Sequence, residues 1–127
     1  MIPAIASCNL SVIDLNGIME QADHDEEFMR ELLFDFRSEI HAQLLKMSQM
    51  LQLLQNELSA SDLGRLQRAA QSIKDASLDM FCSEIHAAAT TMEINAKKGN
   101  LKGCLWDYEV LERASRDVLH VLESMGM

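Results

Sequence analysis

From Met29 to Leu58, apolar residues step along the chain by three or four positions: Met29, Leu33, Phe36, Ile40, Leu44, Met47, Leu51, Leu54 and Leu58. Glu31, Arg37, Glu39, Lys46 and Gln52 fill the other faces. This spacing predicts one long amphipathic helix of roughly eight turns. Ahead of it, Asp14 can cap a short helix, LNGIMEQA, and Asp23 has Glu26 three residues on, the spacing of a capping box. The acids Asp25, Glu26 and Glu27 suit the positive end of a helix. SASD then breaks the pattern, and Ser61 or Ser59 can cap a helix carrying Leu63, Leu66, Ala70, Ile73 and Ser77 on one side. SLDMFCS predicts a corner. The next helix shows Ile85, Ala89, Met92 and Ala96 and ends in AKKGN, where Lys97 and Lys98 match the negative helix end and Gly99 the left-handed stop. Asn100 can cap the last helix, with its stripe of Leu101, Leu105, Tyr108, Leu111, Ser115, Val118, Leu122 and Met125.

Four major helices with narrow stripes and short connections predict an all-α fold, an antiparallel up-down four-helix bundle with a short additional N-terminal helix. Residues 1–12 read as an extended or poorly ordered arm and 13–127 as the bundle domain. One proline and five glycines agree with short loops and disfavour a fold built on tight sheet turns.

A net charge of −9 disfavours nucleic acid and anionic membrane surfaces as partners, since both select basic patches. The three cysteines, Cys8, Cys82 and Cys104, are odd in number and far apart, with no CxxC, which fits reduced thiols rather than a disulfide framework or a zinc site. The apolar opening has no basic residue before Arg30 and so lacks the positive start of a secretory signal. No apolar run approaches a membrane span. The expectation is a cytoplasmic protein.

The third of these helices carries the candidate chemistry. Its apolar side holds Leu66, Ala70 and Ile73, which turns Gln71 outward among Gln67, Arg68, Lys74, Asp75 and Leu78 one turn to either side. Taken alone, such a face is an ordinary solvated helix surface. No metal-ligating spacing, phosphate-cradling glycine loop or cofactor motif accompanies it. The cysteines lack a base at helical spacing, and there is no Gly-x-Ser-x-Gly.

The stretch QSIKDAS nevertheless resembles the motif of histidine phosphotransfer domains, which reads His-x-Leu-Lys-Gly-Ser/Ala-Ser, then about three residues, Gly-Ala and a leucine. Ile73 stands at the Leu position, Lys74 at the Lys, Ala76 and Ser77 at the small pair, Cys82 at the Ala and Ile85 at the second Leu. DLNGIMEQADHDEEFMRELLFDF is similar to the family's short helix and acidic-capped long helix, and TTMEINAKKGNL to its Leu-Glu…Gly-Asp-Leu stretch. The likeness runs from about residue 13 to 125. It implies a cytoplasmic helical bundle of a multistep two-component system that docks a receiver domain of a response regulator or of a hybrid histidine kinase, with Gln67, Arg68, Gln71, Lys74, Asp75 and Leu78 as the docking face.

Three departures alter what the resemblance implies. Gln71 stands where the histidine belongs, Asp75 where the glycine after the lysine belongs, and Phe81 where the glycine of Gly-Ala belongs. A carboxamide nitrogen has its lone pair delocalised into the carbonyl, so Gln71 cannot carry a phosphoryl group. Asp75 adds a carboxylate one turn away, whose repulsion of a phosphoryl group is of order 1 kcal/mol at about 4 Å in water and larger where water is excluded. Phe81 implies that the corner is built differently or that the helix runs on. The expectation is therefore a non-catalytic pseudo-phosphotransfer protein, a competitor or adaptor. The alternatives are an active phosphotransfer protein using His86, and a structural or oligomeric helical bundle. The other histidines, His24, His41 and His120, sit outside any such motif.

Overall fold

The computed structural model describes residues 13–127, and every regular element among them is a helix. The arm expected over residues 1–12, and Cys8 with it, lies outside the described residues. The helices are α1 (Leu15–Gln21), α2 (Glu26–Asn56), α3 (Ala60–Asp79), α4 (Ser83–Lys98) and α5 (Leu101–Ser124). α2 packs against α3 and α5, α3 against α4, and α4 against α5, while α1 leans on α2. The four long helices thus close a ring of neighbours around one core.

Each helix enters that core by the stripe its sequence marks. Leu33, Ile40, Met47 and Leu54 from α2 are fully buried, as are Leu66 and Ile73 from α3, Ile85 and Met92 from α4, and Leu111 and Leu122 from α5. Leu58 departs from the expected stripe. α2 ends at Asn56, Glu57 turns extended at φ −151°, and Leu58 is 59% exposed, because the chain must leave the helix for Ser59 to cap α3. Gln43 is buried in addition, its Nε2 donating to Glu39 Oε1 at 3.0 Å, so the burial leaves its donor satisfied.

The caps follow the sequence at three helix starts and shift at a fourth. Asp14 accepts from the Gly17 N–H at 3.1 Å, Ser59 from Asp62 at 3.3 Å and Asn100 from Gly103 at 3.1 Å. At α2 the cap is Asp25, which accepts from the Phe28 N–H at 3.2 Å, rather than Asp23. Asp23 is taken up in ending α1: it and His24 hold left-handed φ angles of 55° and 60°, a conformation that Asp tolerates better than most residues. α4 begins at Cys82 without a side-chain cap bond.

Four helices end by the same device, a left-handed residue whose own N–H and the next fold back onto the last turn; at α1 it is Asp23, which donates to the Glu20 carbonyl while His24 donates to that of Met19. At α4 this is Gly99, φ 73°, with Gly99 donating to the Ala96 carbonyl and Asn100 to that of Asn95. At α5 it is Gly126, φ 82°, with Met127 donating to Leu122. At α3 the device is complete but its residue is Phe81, φ 56°, with Phe81 donating to Leu78 at 3.2 Å and Cys82 to Ser77 at 2.9 Å. The helix therefore does not run on through Phe81; it stops where a glycine would stop it. α1 docks on this corner, since the Asp14 N–H donates to the Phe81 carbonyl at 3.3 Å and a Cβ on Gly17 would meet the Phe81 ring at 3.3 Å.

Two measurements of stability check this arrangement. Ile40→Ala and Leu111→Ala, both at fully buried positions, are expected to cost about 2–5 kcal/mol in denaturant titration, whereas Gln71→Ala on the exposed side of α3 leaves the midpoint nearly unchanged. Phe81→Gly and Phe81→Ala both delete the ring, but only glycine relieves the left-handed backbone, so the Gly variant is expected to be the more stable of the two by about 1–2 kcal/mol.

Candidate functional site

α3 presents its two sides to different surroundings. Leu66, Ala69, Ala70, Ile73 and Ser77 are buried, and the Ser77 hydroxyl is satisfied by donating to the Lys74 carbonyl at 2.8 Å. With that stripe sealed, the 3.6-residue period leaves Gln71 exposed at the centre of the outer face. Arg68 and Asp75 are exposed beside it, Gln67 and Lys74 half-buried, and Leu78 stands 62% exposed at the far end. The six residues expected from the sequence therefore share one continuous face.

Lys74 is committed sideways. Its Nζ donates to Glu93 Oε1 of α4 at 2.7 Å, and both side chains are half-buried. Glu93, by accepting this bond, holds the Lys74 ammonium protonated above the usual lysine range. Asp75 consequently has no cation within ion-pair distance among the described residues. Sequence spacing could not find Glu93, because the pair joins two helices rather than neighbours on one.

Beyond Leu78 the face meets a shallow groove at the α3–α4 corner, lined by Asp14, Ser77, Leu78, Phe81, Cys82, Ser83 and His86. Leu78 and Phe81, the latter 43% exposed, make its rim apolar. His86 lies on α4, half-buried, within this groove rather than at the centre of the α3 face. His24, His41 and His120 are exposed and line neither the groove nor the face.

The two thiols among the described residues, Cys82 and Cys104, are poor candidates for nucleophilic chemistry. Burial pushes Cys82 up to about 12, and burial together with the Asp107 carboxylate pushes Cys104 up to about 11, so neither offers thiolate near neutral pH. Asp107 itself is buried, and its Oδ2 accepts from Asn95 Nδ2 at 2.6 Å. Desolvation raises its pKa above the ordinary Asp value, while the Asn95 bond acts against that rise. This pair, with Asn100 Nδ2 donating to Asn95 Oδ1 at 3.3 Å, knits the α4–α5 junction. Gly103 is required there: a Cβ would come within 2.6 Å of Asn100 Nδ2 and 2.7 Å of Asn95 Nδ2. The sequence marks the helix ends here through Gly99 and Asn100, but not the Asn95–Asp107 pair, which joins two helices.

Among the described residues no group of three or more His, Cys, Asp or Glu side chains is placed to hold a metal ion, and no helix is long and apolar enough to cross a membrane. What the α3 face offers is hydrogen bonding and contact area: an amide that both donates and accepts, a guanidinium and a carboxylate without ion-pair partners among the described residues, and an apolar end. Comparison with family models, with curated proteins and with solved structures gives no match to the chain.

Proposed function

We propose that this chain is a non-catalytic phosphotransfer-like signalling protein of the cytoplasm, which docks a receiver domain of a response regulator or hybrid histidine kinase, or the kinase itself, without accepting phosphate. It then acts as a competitor or adaptor in a two-component phosphorelay. The observation that carries this proposal is Gln71, exposed at the middle of the α3 face at the position the histidine holds in the resembled motif. Further support comes from the corner. Phe81, at the motif's glycine position, has the left-handed backbone that glycine adopts without strain. Ile73, Ser77, Cys82 and Ile85, at its apolar and small positions, are all buried.

The connections 57–59, 80–82 and 99–100 are short enough to make consecutive helices antiparallel neighbours. We take the four long helices as an up-down bundle with α1 as the added short helix. In that arrangement Gln71 and Asp75 stand on an outer wall, open to a partner of domain size. Gln71 can offer a partner the hydrogen bonds of a neutral imidazole, but it cannot form a labile bond to phosphorus.

His86 supports a second reading, an active phosphocarrier, because it shares the corner groove with Leu78 and Phe81. One experiment separates the two. The full chain is mixed with receiver domains carrying radiolabelled phosphate, with binding followed by calorimetry and acid-labile label on the chain by gel. The expected result is binding to one or more receivers with no label transferred. Stoichiometric phosphohistidine at any position overturns the non-catalytic assignment, and at His86 it establishes the second. Failure to bind any receiver or kinase overturns the docking role and leaves a structural bundle.

A further inference from the structure

We propose that the groove between α2 and α3 is a docking site for an acidic, amphipathic segment of a partner protein. It is lined from α2 by Lys46, Gln49, Met50 and Leu53 and from α3 by Arg65 and Arg68. No acid lines it, in a chain that carries 20 acidic residues against 11 basic ones. The exclusion extends along both walls: α2 has no Asp or Glu from Ile40 to Asn56, and α3 has none from Leu63 to Lys74. The groove is thus a positive strip on a negative molecule, and complementarity of charge selects its occupant.

The cations are available. Lys46 and Arg68 are exposed and make no ion pair among the described residues. Arg65 pairs with Asp62 at 3.4 Å in an i,i+3 pair, but the Arg65 side chain is 57% exposed, so its guanidinium keeps donors open to an incoming carboxylate. The shape selects a segment over a small anion. Lys46 and Leu53 are two helical turns apart, about 10 Å along α2 at 1.5 Å per residue, so one phosphate reaches only part of the strip. The same groove is lined by a buried methionine, Met50, and by a leucine, Leu53, that is 52% exposed. An extended or helical segment with acids flanking an apolar residue satisfies both. An anionic bilayer does not, because Asp62, Asp75 and Asp79 of the same helix would be pressed against it.

This strip adjoins the Gln71 face, with Arg68 belonging to both, yet the proposal rests on charge and shape and not on phosphorelay membership. Its test uses no receiver domain, so the two can fail separately. A fluorescein-labelled dodecapeptide with leucine at every fourth position and glutamate on either side is titrated with the full chain, at low and at near-physiological salt, and followed by anisotropy. Amide shift perturbations map the contact. The expected result is salt-sensitive binding, with perturbations confined to α2 around Lys46 to Leu53 and α3 around Arg65 to Ser72. Lys46→Glu with Arg68→Glu should weaken it about tenfold or more, whereas Lys97→Glu with Lys98→Glu at the end of α4 should not. Helical circular dichroism checks that each variant folds, and Lys46→Gln with Arg68→Gln, which weakens binding without reversing charge, replaces any that does not. The proposal is overturned if the peptide does not bind, if the α4 variant loses as much affinity, or if a lysine-for-glutamate peptide binds equally. It is also overturned if phosphatidylserine vesicles bind the chain with the same dependence on Lys46 and Arg68, since that would assign the strip to an anionic surface.

Discussion

Burial of Leu66, Ala69, Ala70, Ile73 and Ser77 against the neighbouring helices fixes the rotation of α3 about its own axis. A helix has no freedom to turn one residue without turning all of them. Once this stripe is sealed, Gln71 points to solvent, Arg68 and Asp75 flank it, and Lys74 comes within reach of Glu93. The same rotation sets Arg65 and Arg68 toward Lys46 across the α2 groove. The outer chemistry of the molecule is therefore a consequence of its inner packing, and each substitution on the α3 face can alter recognition without disturbing the core.

The ends of α3 are held with comparable firmness. Ser59 caps its start, and its last turn closes through Phe81, on whose carbonyl α1 rests. A bulky residue in the left-handed region costs of order 1–2 kcal/mol over glycine, and the ring recovers part of that by packing near Gly17. The corner keeps glycine geometry while presenting an aromatic edge beside Leu78 to any partner that approaches the face.

Much of this was legible in the sequence because it is local. Stripes at three- and four-residue spacing marked Ile40, Ile73, Met92 and Leu111 as core, and Asp14, Gly99 and Asn100 announced the helix ends they do form. The exceptions have a common origin in competition between elements. Asp23 lost the capping role to Asp25 because ending α1 claimed it for a left-handed turn. Leu58 kept the helical period yet left the helix because Ser59 needed an extended approach. Phe81 gave no local sign of a positive φ. On the α3 face, the six positions could be placed from spacing alone, but the Lys74–Glu93 pair and the α2 wall of the positive groove could not. Both depend on which faces of two helices meet.

The proposal that the α3 face is a phosphotransfer site without its histidine is tested most directly by restoring one. A histidine at 71 would stand on the exposed face, while Asp75, which has no ion-pair partner among the described residues, would still oppose incoming phosphate. The measurement is the rate of radiolabel transfer from a phosphorylated receiver domain to Gln71→His and to the double variant Gln71→His, Asp75→Gly. The account predicts transfer to the double variant, faster than to the single one, with none to the parent chain. Transfer to the single variant as fast as to the double would contradict the role given to Asp75, and a double variant that binds the receiver yet takes up no phosphate would contradict the claim that this face is a phosphotransfer site without its histidine.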